Sequence, residues 1–403
     1  MSSLLSREQD GMYSNLGKMK GTYRNPTTPS GEGFGEMKSA LQKYIRRGEV
    51  EKALRVAYEI DCFNYDSEKN AKGHVTNFLH RLMIIFVEDI GITGVGLSPV
   101  LCKCWSFYFS TREKRLLITP FSEAWCEYRR TEIELLSIII ILLCNSVKSR
   151  SASHYKSVFI PSQNPVLISE HAILKTIQQR SGEPTPSLAN EIDLNLKEAP
   201  EMMKMCKHFY ANLINHDPMC VYWAFKIVDS ASVGSYFKKK KSSYLVFHLM
   251  QMFVNTLPKD TKQFYTDIIT CYVSWFAEIS PLKEEFLYWL VPLIGLIEKR
   301  EPIPYELPSA TEVDNYIRKL YPQALKGTKI QLDEYVFDMH TRSGKGGRVY
   351  FATTSSLVYP EDPMINNLYR TIYNQNKYLQ DGKTLQDYYA DFEKISSMSQ
   401  EKT

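Results

Sequence analysis

The segment Asp338-Met-His-Thr-Arg-Ser-Gly-Lys-Gly-Gly-Arg348 is the densest set of ligand-capable residues in this 403-residue chain. Arg342, Lys345 and Arg348 place three cations within seven residues. Gly344, Gly346 and Gly347 let the backbone come close to an anion and turn its N–H groups on it. Thr341 adds a hydroxyl and His340 an imidazole. That combination suits phosphate contacts, which give affinity without base preference. A solvated basic turn, its base held by Asp338 pairing with His340, is the competing reading.

Other constellations are weaker. Arg46 and Arg47 close one amphipathic segment, and Lys148 and Arg150 follow a long apolar one. We expect these four to join the 340–348 residues near phosphates. His154 follows them and reads as a surface histidine. Lys238–Lys241 reads as a solvated loop between helices. Cys102-x-Cys104 lacks a second Cys/His pair at metal-site spacing, so a buried apolar role is favoured over a metal site. Glu88-Asp89 reads as a structural carboxylate pair bonding Arg81 or a backbone amide, ahead of a catalytic pair. Gly382-Lys383-Thr384 ends like a phosphate-binding loop, but Lys377 stands where its first glycine belongs, and Gly344-Lys345 is followed by a glycine without a hydroxyl. No catalytic, cofactor or metal site is expected, and ATP hydrolysis is rejected.

Helices must position these residues. Met37, Ala40, Leu41, Tyr44 and Ile45 form one stripe at helical spacing, and Gly48 supplies a left-handed stop after Arg46 and Arg47. Val50, Ala53, Leu54, Ala57 and Tyr58 repeat the stripe, as do Phe78, Leu79, Leu82, Met83 and Phe86 before Gly91. Three such stripes must bury one another, which implies an antiparallel helical cluster. A long helix is expected from about Arg129 to Lys148, helices again between about 199 and 299, and a short one at Thr384–Ile395. Residues 51–60 and 75–86 can be laid on 218–227 and 242–253 at one shared offset of 167. Internal duplication is one reading, and the ready alignment of any two amphipathic helices is the other.

The expected fold is therefore mainly α, with two packed helical units, an extended N-terminal arm and a mixed C-terminal tail. The boundaries read as 1–35 for the arm, 36–160 for a first helical domain, 161–310 for a second helical unit or insert, and 311–403 for the tail with the basic loop. Hydrophobic residues make up 44% of the chain, with 26 Tyr and 19 Phe, so a large core is available. The net charge of +4 excludes a global polycation and leaves anion binding to local patches. Eight scattered cysteines suit reduced thiols in a cytoplasmic or nuclear compartment better than a disulfide framework. The N-terminus has no secretory pattern and the longest apolar runs are short of a bilayer span, so a soluble protein without membrane contact is expected.

Several blocks resemble the helical region that follows the ATPase core in clamp-loader-type AAA+ proteins of the replication-associated recombination family, and related phage, viral and bacterial proteins that lack that core. They are Ser39–Ile60, Val75–Gly91, Glu134–Arg150 followed by His154, and Asp338-Met-His-Thr-Arg-x-Gly. They keep the same order but cover about a quarter of the chain, and residues 160–330 depart from the shorter relatives as an enlarged insert. The resemblance implies a collar-like helical fold and a place in DNA replication, recombination or repair.

Two functions follow. One is a non-enzymatic accessory factor that binds nucleic acid, DNA favoured, through Arg46, Arg47, Lys148, Arg150, His340, Thr341, Arg342, Lys345 and Arg348. The other is a structural or adaptor protein that meets protein partners or its own copies through the helical units, as an oligomeric scaffold or as a virion or assembly component of a large DNA virus or phage.

Overall fold

The computed structural model describes residues 21–22, 25–65, 69–91, 93–159, 200–230, 239–278, 286–301, 303–337, 365 and 369. Among them the protein is mainly α, with twelve α-helices and one two-residue antiparallel ladder, β1 (Gly21–Thr22) on β2 (Asn25–Pro26). The chain divides into two units, one made of residues 1–148 and 302–359, the other of 149–301 and 360–403.

The first unit is built on α1 (Phe34–Arg47), α2 (Val50–Asp61), α3 (Lys69–Ile85), α4 (Ser98–Leu116), α5 (Glu123–Asn145) and α12 (Ala310–Leu325). The stripe of α1 is buried as its spacing requires, at Met37, Ala40, Leu41, Tyr44 and Ile45. Gly48 ends the helix at φ 70°, donating its N–H to Ile45 O at 3.0 Å while Glu49 N–H reaches Tyr44 O at 2.9 Å. That left-handed cap turns the chain sharply into α2. Helix α3 runs into a π-helical turn, Phe86–Ile90, before Gly91. Ser122 caps α5, its hydroxyl accepting Trp125 N–H at 3.3 Å, so this helix starts earlier than Arg129 and stops before Lys148. Helices α4 and α5 pack as a hairpin, and α5 also packs on α1, α2 and α12.

The described end of the arm packs on the first unit. The N–H of Ser30 donates to the buried carboxylate of Glu59, and Thr28 is buried. Gly327, at φ 61° after α12, sits so close to this stretch that a Cβ there would meet Pro29 O at 2.5 Å. Only glycine meets both conditions.

The second unit contains α6 (Ser151–Phe159), α7 (Pro200–Ile214), α8 (Met219–Ser230), α9 (Lys239–Asn255), α10 (Lys259–Glu278) and α11 (Leu287–Ile297). Every residue of α11 is buried, as a helix apolar all round must be, and α6, α8, α9 and α10 pack on it. Its Trp289 lies edge-on to Phe225 of α8 at 4.8 Å. The turn from α7 to α8 repeats the cap of the first unit. His216 takes φ 54° and donates to Leu213 O at 3.0 Å, and Asp217 N–H reaches Asn212 O at 2.8 Å. The side chain supports this strained backbone, with Nδ1–H donating to Leu296 O at 3.0 Å. The cap-to-cap offset is 168, one residue from the 167 read by alignment.

The division differs from the expected boundaries in two places. The first unit closes at Lys148 rather than near 160, and the chain re-enters it at Pro302. Helix α12 explains the return, because Val313, Leu320, Tyr321, Ala324 and Leu325 are buried and the helix packs on α2 and α5. Residues 149–301 thus interrupt the first unit in sequence. The lysine run is not a loop throughout, since Lys239–Lys241 form the first turn of α9. The expected helix at Thr384–Ile395 and the basic loop Asp338–Arg348 lie outside the described residues.

Candidate functional site

The first unit buries a network of charged side chains. Asp61, the last residue of α2, accepts from Asn64 Nδ2 at 2.8 Å and from Tyr321 Oη of α12 at 3.2 Å, and forms an ion pair with Arg129 of α5. Arg129 also pairs with Glu132 one turn on and donates to Tyr321 Oη at 3.1 Å. Glu132 in turn takes Arg115 Nε of α4 at 2.5 Å, and Arg115 Nη2 returns to Asn64 Oδ1 at 2.8 Å. Asp61, Arg129 and Glu132 are fully buried. Two cations and two carboxylates therefore close a neutral ring that ties α2, α4, α5 and α12 together. Burial alone works against the Arg129 charge, and Asp61 with its neighbours outweighs it, so the guanidinium is held above its ordinary pKa.

A second buried set joins α1 to the π-helical turn. Arg46 meets Asp89 with a two-pronged contact, Nε at 3.0 Å and Nη2 at 2.8 Å from Oδ1. Gln42 Nε2 donates to Asp89 Oδ2 at 2.8 Å, and Arg81 donates to Gln42 Oε1. The structural reading of Asp89 holds, with Arg46 as its partner and Arg81 acting through Gln42.

These contacts revise the expected cationic face. Arg46 is only 3% exposed and its guanidinium is held by Asp89. Lys148 is 2% exposed, and its ammonium caps the end of α5 by donating to Leu143 O at 3.0 Å and Cys144 O at 2.8 Å, with a further bond to Ser146 O. Burial pulls its pKa down to about 8. Neither side chain faces outward to meet a phosphate; each satisfies groups that folding would otherwise leave buried and unpaired. Arg150 is half-buried and belongs to the second unit. His154 is buried, not a surface group, and its ring stacks on Tyr369 at 4.0 Å. Cys102 and Cys104 are half-buried rather than buried. His340, Thr341, Arg342, Lys345 and Arg348 lie outside the described residues.

Arg47 keeps a place at the surface. Its guanidinium lies 3.6 Å from the centroid of the Tyr335 ring. Tyr335 Oη donates to Glu49 Oε1 at 2.8 Å, and Lys52 bridges Glu49 and Asp333 at 2.8 and 2.9 Å. Lys43 Nζ and Ser39 Oγ both donate to Val336 O, at 2.7 and 2.9 Å. The chain is thus fixed to α1 two residues before the basic loop begins. Arg47 also borders a cavity of about 670 Å³ between the α1–α2 turn, Thr93-Gly94, the end of α5 and the extended stretch Ile303–Glu306. No described group of three His, Cys, Asp or Glu side chains could hold a metal ion, and no described helix is long and apolar enough to cross a membrane.

One surface feature has no counterpart in the sequence reading. The α4–α5 hairpin tip exposes Leu116, Leu117 and Phe121, with Leu117 at 87%. The apolar pattern of α4 gave no signal, because a leucine at a helix end reads equally well as core. Comparisons with protein-family models, with curated proteins and with solved structures find no match.

Proposed function

We propose that this chain is a non-catalytic helical scaffold that docks protein partners, of the collar-like kind that its resemblance to replication-associated recombination proteins implies. The observation that carries this reading is the closed ring of Asp61, Arg129, Glu132 and Arg115 inside the first unit. Charges placed there hold four helices in one arrangement, while the tip between two of them, α4 and α5, exposes Leu116, Leu117 and Phe121. A rigid frame with apolar surface left uncovered is what a docking protein needs. The shared left-handed cap supports treating the two units as related copies. A place in DNA replication, recombination or repair, and in a virion or assembly, belongs to the same proposal.

Nucleic-acid binding is the second reading. It is favoured by one observation, that Lys43 and Ser39 hold Val336, two residues before the basic segment in sequence, on the helix whose last residue is Arg47. Its cationic set is then Arg47 with Arg342, Lys345 and Arg348, without Arg46 or Lys148. Affinity purification of the full chain with and without nuclease separates the two. Proteins that remain bound after nuclease treatment support the scaffold; their loss with the nucleic acid overturns it.

A further inference from the structure

The stretch that leads into α12 forms no helix, and its residues say why. Pro304 and Pro308 fix their own φ and hold Ile303 and Leu307, the residues before them, in the extended region. None of residues 303–307 takes a positive φ. In an extended chain the N–H and C=O of one residue share an edge, and successive residues alternate edges. Both prolines stand at even positions, so they strip donors from one edge alone. The other edge keeps the complete N–H and C=O pairs of Ile303, Tyr305 and Leu307, and none of these groups bonds to another described residue. The side chains of that register are apolar and open, Leu307 at 62% exposure and Tyr305 at 40%. An unpaired edge with no lysine to guard it is a template for another chain. The same stretch walls the cavity of about 670 Å³, whose lining includes the buried Leu97, Leu142 and Cys144.

We infer that Ile303–Leu307 receives an extended segment of a partner protein by strand addition, and that the cavity takes side chains of that segment. The unpaired groups specify the occupant's backbone, because another extended chain presents N–H and C=O at the matching spacing. A helix uses both groups internally, and a phosphate backbone offers acceptors without donors for the free carbonyls. The cavity specifies the side chains: its apolar lining suits Leu, Ile or Phe, and its volume lies within the roughly 300–1,000 Å³ of ordinary ligand sites. The edge is also held in advance. Ser309 caps α12 directly after it, its Oγ accepting Glu312 N–H at 3.1 Å, so the protein side loses little freedom on binding. This inference rests on the scaffold reading and names the way its partner is held.

Peptides selected on the full chain from a library of random short sequences test it. Each selected peptide is measured against Leu307→Ala, which keeps the N–H on the open edge, and Leu307→Pro, which removes it. Position 307 is largely exposed and already precedes a proline, so both variants keep the wild-type circular dichroism. Leu307→Pro binds the peptides about fivefold more weakly than Leu307→Ala, the worth of one hydrogen bond. N-methylation of alternate peptide amides abolishes binding in one register and spares it in the other, because a paired strand turns every second N–H away. Failure to select any peptide overturns the inference, as does equal affinity for the two variants or indifference to the methylated register. Each of those results leaves the scaffold reading standing on the nuclease experiment. Loss of the partner proteins with nuclease overturns the scaffold reading even where peptides bind.

Discussion

Arg129→Met is the sharpest test of the buried ring. The replacement keeps the length and apolar stem of the side chain but removes the charge that faces both Asp61 and Glu132. Glu132 retains Arg115 at 2.5 Å. Asp61 retains hydrogen bonds from Asn64 and Tyr321 but loses its only ion-pair partner among the described residues, while remaining fully buried. Stranding a buried carboxylate in this way costs about 3–5 kcal/mol. Asp61→Asn is milder, about 1–3 kcal/mol, because the amide keeps an acceptor and Arg129 keeps Glu132. The double variant removes both members of the pair, so its cost falls short of the sum of the two singles by about 2 kcal/mol. Denaturant unfolding followed by tryptophan fluorescence reads this directly. Trp125 lies 5.5 Å from the ring of Tyr65 and under the Arg115 guanidinium at 5.4 Å, so it reports on the ring itself. An Arg129→Met variant within about 1 kcal/mol of wild type, as a surface change would be, refutes the reasoning, and so does strict additivity in the double variant.

Two further expectations concern stability. The Lys148 ammonium has its pKa lowered to about 8 by burial, against 10.5 for an ordinary lysine. Between those values the unfolded chain holds a proton that the folded chain has released, so this group's contribution to stability rises with pH across that window and is smallest below it. Wild type should therefore gain on Lys148→Met by about 1 kcal/mol per pH unit above pH 8, and parallel pH profiles would show that the amine is not desolvated. Gly327→Ala should destabilise by about 1–3 kcal/mol through the clash with Pro29 O and the left-handed backbone; a neutral effect on the unfolding midpoint would place the arm elsewhere.

The sequence made the helices legible where spacing decides the outcome. Met37 to Ile45 and Gly48 announce both the buried face of α1 and its end, because a helical stripe and a left-handed cap are local matters. The return of the chain after residue 302 was not legible, since α12 has an ordinary amphipathic pattern and nothing local says that it packs on α2, some 260 residues earlier. Cations misled for a related reason. Arg46 beside Arg47 looks like a basic pair, yet at a helix end adjacent residues face different ways, one toward Asp89 and the other toward Tyr335. Lys148 follows an apolar helix, where a cation can bind a ligand or close the helix's own carbonyls, and composition does not distinguish them. Arg129 and Glu132 did carry a signal, two opposite charges a turn apart in a helix otherwise headed for the core.

Equilibrium binding of labelled duplex DNA to the full chain across a range of salt concentrations, for wild type and for Arg342→Ala/Lys345→Ala/Arg348→Ala, tests the scaffold claim most directly. The scaffold account predicts that the two proteins behave alike, with no steep salt dependence in either. Tight wild-type binding that falls sharply with salt, and that the triple variant flattens, contradicts it.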